Sequence, residues 1–241
     1  MIQDPRSKIQ DHSPNHLPTH VGIILDGNRR WAEAAGKKTL EGHRVGSEVF
    51  KKISIGLFEL GVKYVTAYVF SVENWQRKAE EVDYLMRLLI KAVELHLDDF
   101  NKLGIRIRII GLKDNLKPAV LKAIERTEAK TADNTNGTLT LCFNYSGRQE
   151  LVDAYKQIAS QNIASQNITE ETISENIYAP DVPDVDLLIR TSGEQRISGF
   201  MLWRSSYAEL LFIEKLWPDV TMEDMDIAIS EYSVRQRRFG C

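Results

Sequence analysis

The chain has 241 residues, 43% of them hydrophobic and 27% charged, with a formal net charge of -3. That length supports one large domain or two small ones, big enough to hold together without covalent or metal staples. The near-neutral charge removes any global attraction to nucleic acid, Cys142 and Cys241 make no disulfide framework, and no apolar run reaches the roughly 18 residues of a membrane span.

Residues 1–19 are polar and carry Pro5, Pro14 and Pro18. They read as a mobile lead-in to a domain at 20–241, without the apolar core of a signal peptide. His12, His16 and His20 are spaced by four, but the prolines between them oppose the helix that would gather them on a metal.

Val21 to Leu25 is a short apolar run, enough for one buried strand, and Asp26-Gly27-Asn28 breaks it. A helical pattern follows, with Arg29, Arg30, Lys37, Lys38, His43 and Arg44. A carboxylate at a strand's carboxyl end sits where ligands bind in open α/β sheets, and the first amides of the next helix favour an anion. One carboxylate amid that much positive charge suits a divalent cation and a phosphorylated ligand. A core strand followed by a solvated basic helix explains the same residues equally well.

Val45, Val49, Ile53, Leu57 and Leu60 recur at helical spacing, and Gly61 is placed as a C-cap. Val62 to Phe70 is β-branched and aromatic, a second strand. The polar run Ser71 to Arg77 follows at its carboxyl end. A helix is expected over 80–102, apolar on a face wide enough to pack on a sheet and line a cavity. Ile105 to Ile110 alternates with Arg106 and Arg108 on one face, a third strand near an edge. Residues 115–131 are helical with Pro118 in the first turn. Thr138 to Phe143 is a fourth strand holding Cys142, a reduced core residue that fits a cytoplasmic setting, and Asn144 to Arg148 opens a helix. IASQNIASQNI at 158–168 is a tandem repeat matching no repeat architecture, read as a surface duplication at that helix's end. Val185 to Ile189 is a fifth strand, Arg190 to Gly199 a polar turn after it, Tyr207 to Ile213 a sixth strand containing Glu209, and 221–236 a last helix.

Strands alternating with helices throughout predict an α/β single domain, with a six-stranded, mainly parallel sheet flanked by helices. Strand ends after 25, 70 and 189 converge on one crevice holding Asp26, Glu209, Arg29, Arg30, Arg77, Arg190 and Arg196, with Ser71, Asn74 and Ser198. Guanidinium forks suit diphosphate oxygens, and five arginines are enough for two anionic ligands. Two carboxylates suit Mg²⁺, whose shell water and phosphate complete. The alternatives are plain: Arg190 and Arg196 as ion pairs capping helices, Trp75 as a packing residue, Glu209 paired with a structural arginine. No G-x-S-x-G elbow, G-x-x-x-x-G-K-[ST] loop or G-x-G-x-x-G fingerprint occurs. His43 lacks a second ligand at zinc spacing and is read as a phosphate donor.

The motifs HVGIILDGNRRWA (20–32), Gly42-His43, FSVENWQR (70–77), IRIRIIG (105–111), FNYSGR (143–148), IRTSGEQRIS (189–198), LWRSSYAELLF (202–212) and RRFG (237–240) occur in that order. In them the chain resembles the cis-prenyltransferases, the undecaprenyl diphosphate synthase family. The resemblance implies a homodimer with an apolar tunnel between sheet and helices. It implies a Mg²⁺-dependent Z-type polyprenyl diphosphate synthase, which condenses isopentenyl diphosphate with an allylic diphosphate of farnesyl or geranylgeranyl type. The product would partition to the membrane as a lipid carrier for cell-envelope or glycan synthesis, made by a cytoplasmic enzyme peripheral at the membrane.

By the same resemblance Asp26 serves the metal and the departing diphosphate, and Glu209 is the second Mg²⁺ carboxylate. Gly27, Asn28, Arg29, Arg30 and His43 hold the allylic diphosphate, with Trp31 beside it. Ser71, Val72, Glu73, Asn74, Trp75 and Arg77 form a segment closing on the reacting ends. Asn74 is the family's proton-accepting position; a neutral amide is a poor base, so a relay to diphosphate oxygen is expected. Arg190, Arg196, Ile197 and Ser198 match the isopentenyl diphosphate site, and Arg238 and Gly240 the terminal segment that reaches a partner subunit. Thr39, Ser192, Gly199 and Arg204 depart from the usual residues and bear on which primer is used. An uninterrupted 80–110 region leans to a medium or long product. A non-catalytic binding homologue and a phosphatase-like α/β protein are the competing classes. Asp98-Asp99 lacks the second half of a D-D-x-x-D box, which disfavours a helical E-type prenyltransferase.

Overall fold

The computed structural model describes residues 17–235. His12, His16, Arg238, Gly240 and Cys241 lie outside the described residues. In chain order the elements are β1 (His20–Ile24), α1 (Asn28–Ala34), α2 (Thr39–Leu60), β2 (Tyr64–Ser71), a 3₁₀ turn (Val72–Gln76), α3 (Ala79–Lys102), β3 (Ile105–Ile110), α4 (Pro118–Thr131), β4 (Gly137–Tyr145), α5 (Gly147–Ser160), α6 (Glu170–Asn176), β5 (Leu187–Arg190), β6 (Glu209–Phe212) and α7 (Met222–Val234).

The six strands form one sheet in the order β3-β4-β2-β1-β5-β6, and every pairing is parallel. From β1 the chain steps to β2, passes to β3 at the edge and comes back to lay β4 between them, then crosses β1 to lay β5 and β6 on the other side. The switch in direction falls at β1, and an open α/β sheet forms its crevice at the carboxyl ends beside such a switch. Asp26 lies just past the end of β1 and Arg190 ends β5, the two strands that meet there.

The alternation of strand side chains divides the core in two. Val21, Ile23, Val65, Ala67, Leu139, Leu141, Leu187 and Ile189 face the larger cluster, which takes in Leu57 of α2, Leu89 of α3, Ile124 of α4 and Met225 of α7. Ile24, Cys142, Tyr145 and Leu188 face the other side, against Phe200 and Met201. β3 is an edge strand, as its alternation predicts, and Arg106 and Arg108 both bond Asp181, at 3.2 and 2.9 Å.

Two boundaries differ from expectation. The basic segment after Asp26 is two helices, because the chain turns at Gly36, whose φ is +64°, before α2 starts. α5 stops at Ser160, so most of the tandem repeat lies past the helix, with a 3₁₀ turn at Ser165–Asn167. α1 seats tightly on α2: a Cβ at Gly42 or Gly46 would fall 2.0 Å from the Asn28 carbonyl or side-chain oxygen. Leu17, read as lead-in, already packs against the larger cluster.

Candidate active site

Gly27 makes the turn from β1 into α1 with φ +107°, and a Cβ there would meet Leu216 at 2.9 Å. That turn holds Asp26 at the sheet's carboxyl edge. Thr191, just after β5, fixes its backbone: the Thr191 hydroxyl accepts from the Asp26 amide at 3.0 Å and donates to the Asp26 carbonyl at 2.7 Å. The Asp26 carboxylate then takes Arg190 Nη2 at 2.8 Å and Arg30 Nη2 at 3.3 Å. Burial alone would push this carboxyl up. The hydrogen bond and charge of Arg190, the charge of Arg30 and a Ser192 contact outweigh it and hold Asp26 below the usual carboxylate range.

Arg190 is 5% exposed. Besides Asp26 it donates to the Arg196 carbonyl at 2.6 Å and the Ser198 hydroxyl at 2.9 Å, so one guanidinium ties β1's end to the 196–198 turn. Ser192 and Ser198 sit at φ +77° and +50°, a left-handed conformation that suits glycine better. At Ser192 the side chain has a use that glycine lacks, since its hydroxyl accepts from Arg30 Nη2 at 2.5 Å. Glu194 links Arg30 and Arg196, at 3.4 and 2.5 Å.

The Ser71–Arg77 segment is closed by its own capping box: the Ser71 amide donates to Asn74 Oδ1 at 3.1 Å. That leaves the Asn74 amide N–H groups as what it offers a ligand. Arg77 Nη1 meets Glu81 at 2.8 Å, and the same carboxylate lies 3.5 Å from His43 Nε2. Burial, then the Arg77 charge, lowers the His43 pKa against the pull of Glu81, so the ring is neutral near pH 7.

These groups open into a cavity of about 920 Å³. Asp26, Gly27, Asn28, Arg29, Arg30, His43, Ser71, Glu73, Asn74, Arg77, Arg190, Arg196 and Ser198 line it, which gathers most of the residues expected from sequence. Its deeper wall is apolar: Leu85, Leu88, Leu89, Ala92, Val93 and Phe100 of α3 face Ile107, Leu139, Leu141 and Phe143 of the sheet. Charge at one end and hydrocarbon at the other is the arrangement an amphiphilic phosphorylated molecule requires.

Other expected residues stand elsewhere. Glu209 does not line this cavity. It opens β6 opposite Leu187, while Arg190 pairs with Phe212 and with Ile24. Glu209 is thus three residues, about 10 Å, toward the amino edge, and two strand spacings, about another 10 Å, from β1. Its carboxylate meets Arg235 at 3.1 Å. Trp31 does not line the cavity: its indole donates to Asp219 at 2.7 Å, under Lys37. Trp75 packs edge-on against Phe70, donating to Asn144 Oδ1 at 2.7 Å. Ile197 packs on the second core cluster, and Val72 is half-buried outside the lining. Arg204 is 3% exposed, pairs with Glu150 and donates to the carbonyls of Tyr178, Ala179 and Val182. It shapes the opposite face of the sheet rather than the crevice.

Thr191, Glu194 and Glu81 are the supporting residues that residue-by-residue reading did not single out. Thr191 and Glu194 fall inside the 189–198 motif, which was the available signal; nothing local marked Glu81. Among the described residues no group of three or more His, Cys, Asp or Glu is placed to hold a metal ion. The residues present fit a hard cation that takes Asp26 as one carboxylate ligand, with phosphate oxygens and water as the rest. No helix among the described residues is long and apolar enough to cross a membrane.

A prenyltransferase family model, described as undecaprenyl diphosphate synthase, matches residues 24–240. The isoprenyl transferase of Thermotoga maritima is 46% identical over 93% of this chain and 97% of its own length. The decaprenyl diphosphate synthase of Mycobacterium tuberculosis is 44% identical over 94% of this chain and 78% of its own. The crystal structure of lavandulyl diphosphate synthase from Lavandula x intermedia, in complex with dimethylallyl diphosphate, superposes with a TM-score of 0.92. It is 33% identical, covering 94% of this chain and all of that one.

Proposed function

Since the chain belongs to the undecaprenyl diphosphate synthase family of prenyltransferases, we propose that its crevice joins isopentenyl diphosphate to an allylic diphosphate, each new double bond being Z. The observation that carries this reading is the continuity of one cavity, from a mouth of Asp26, Arg30, Arg77, Arg190 and Arg196 to a wall of α3 leucines.

Arg29, Arg30 and His43 at the start of α1 and α2 hold the allylic diphosphate, with the tail running down α3. Arg190, Arg196 and Ser198 hold the second diphosphate across the mouth. Asp26 would hold Mg²⁺, which would supply charge neutralisation for the departing diphosphate. As the allylic C–O bond breaks, its electron pair goes to the diphosphate, and Arg29 and Arg30 stabilise the growing negative charge. The π electrons of isopentenyl diphosphate form the new C–C bond to the allylic carbon. A proton then leaves the adjacent methylene carbon for a diphosphate oxygen, and the C–H pair becomes the new double bond. The Asn74 N–H groups orient that oxygen. The Ser71–Arg77 segment closes over the reacting ends to keep water from the cation.

A homodimer would let Arg238 and Gly240 of one copy complete the other's mouth, and the product would serve as a membrane lipid carrier. Asp26→Ala is expected to abolish incorporation of labelled isopentenyl diphosphate while the variant keeps its circular dichroism spectrum. Undiminished product from that variant rejects the mechanism.

A further inference from the structure

The FNYSGR motif at 143–148 ends β4 and opens α5, yet none of its polar residues lines the cavity. Gly147, its buried glycine, is the first residue of α5. Glycine is a poor helix former, and the backbone here is helical, so left-handed freedom is not what selects it. Space is. A Cβ at Gly147 would fall 2.3 Å from the Gly199 carbonyl oxygen and 2.8 Å from Leu202 Cβ. The Gly147 amide donates to that same carbonyl at 3.1 Å, which satisfies one of the amides that a helix start leaves unpaired. The platform is firm. The buried Asn144 side chain donates to the carbonyls of Leu112 and Asp114 at 2.8 and 3.1 Å, and the Tyr145 hydroxyl donates to Glu150 at 2.5 Å.

The turn that Gly147 touches is the one that carries Arg196 and Ser198 to the mouth. Ser198, Gly199 and Met201 all sit in the left-handed region, at φ +50°, +74° and +46°. Non-glycine residues keep that conformation only where their surroundings enforce it. Arg190 holds one end of the turn, through the Arg196 carbonyl and the Ser198 hydroxyl. Phe200 and Met201, both fully buried, anchor the other end in the second core cluster. Between these two anchors, the Gly147–Gly199 bond fixes the backbone next to Ser198.

We propose that Gly147 is a positioning residue for isopentenyl diphosphate: by admitting the Gly199 carbonyl against the start of α5, it sets the 196–199 turn where Arg196 and Ser198 meet the second diphosphate. The proposal rests on the prenyltransferase reading. A side chain at 147 pushes the carbonyl away by about 1 Å, to an ordinary C···O contact. Ser198 is the next residue in the chain and moves with it. A displacement of about 1 Å in a group that holds substrate costs up to roughly 100-fold. The allylic diphosphate is held by Arg29, Arg30 and His43 of α1 and α2, a different part of the chain, so the two substrates respond differently.

The test is a comparison of KM values. The full chain and its Gly147→Ala variant are assayed in Mg²⁺ buffer with labelled isopentenyl diphosphate and an allylic diphosphate, each varied in turn. Gly147→Ala is expected to raise KM for isopentenyl diphosphate roughly 10- to 100-fold. KM for the allylic substrate should stay within about 2-fold of the parent. If Gly147→Ala does not fold, judged by thermal melting, Gly199→Val replaces it. A Cβ at Gly199 meets nothing within 4 Å, but a β-branched residue resists φ +74°, so the same carbonyl moves without crowding, and the same split is expected. An active parent whose isopentenyl diphosphate KM does not change in the folded variant overturns this proposal alone. So does an equal rise in both KM values, which marks a general loosening of the fold. A parent chain that makes no prenyl product from any primer overturns the underlying reaction and this proposal with it.

Discussion

Arg190 is where folding and binding share one side chain, which makes Arg190→Gln the most informative perturbation. The guanidinium is buried and makes three bonds: to Asp26 at 2.8 Å, Ser198 at 2.9 Å and the Arg196 carbonyl at 2.6 Å. A hydrogen bond to a charged partner contributes about 1.5–3 kcal/mol when buried. Asp26 keeps 29% of its side chain exposed, so water replaces part of its loss and the pair is discounted. The expected coupling between Asp26 and Arg190 is about 1–2 kcal/mol, within a total destabilisation of about 2–3 kcal/mol. For a chain of this size that lowers the melting temperature by roughly 5–10 °C. The assay is a double-mutant cycle of Asp26→Asn and Arg190→Gln, by urea denaturation near pH 7. A coupling below about 0.3 kcal/mol, the error of additive sites, would refute the view that this pair joins β1 to the 196–198 turn. The acid limb gives a second reading. Because the folded Asp26 pKa is depressed, its contribution is fully present above about pH 3.9 and is lost as pH falls below that. In Arg190→Gln the carboxyl loses its main counter-charge and should protonate at higher pH.

Two further outcomes are expected. His20 is fully buried, its Nδ1 2.8 Å from the Pro183 carbonyl and its Nε2 2.7 Å from the Thr66 hydroxyl. Burial lowers its pKa to about 4, so the fold binds the neutral ring. Stability is then complete above about pH 6.5 and falls by about 3 kcal/mol as pH drops toward 4. Urea midpoints from pH 7 to 4.5 should show the decline and His20→Gln should flatten it; equal slopes in both would reject the assignment. Ala92→Phe adds a ring to the cavity wall and should shorten the products, read by mass spectrometry. Unchanged lengths would mean the tail does not run along α3.

The element types, their alternation, the edge position of β3 and the three polar strand ends are local properties, and the sequence alone determines them. Hydrophobic period and turn residues act over a few positions, so Val21–Leu25 followed by Asp26-Gly27 already implies a carboxylate at a strand end. The motif order fixed the family for the same reason, because it is read residue by residue. Tertiary structure decided what depends on strand order and register. Asp26 and Arg190 meet because β1 and β5 are neighbours, which no local signal encodes. Glu209 has the composition of a site residue, yet parallel pairing sets it at the far end of β6, against Arg235. Trp75 shares a run with Ser71, Asn74 and Arg77, but a 3₁₀ turn aims it at Phe70 while Asn74 and Arg77 line the cavity. Local chemistry chose the groups, and long-range register chose which of them face one another.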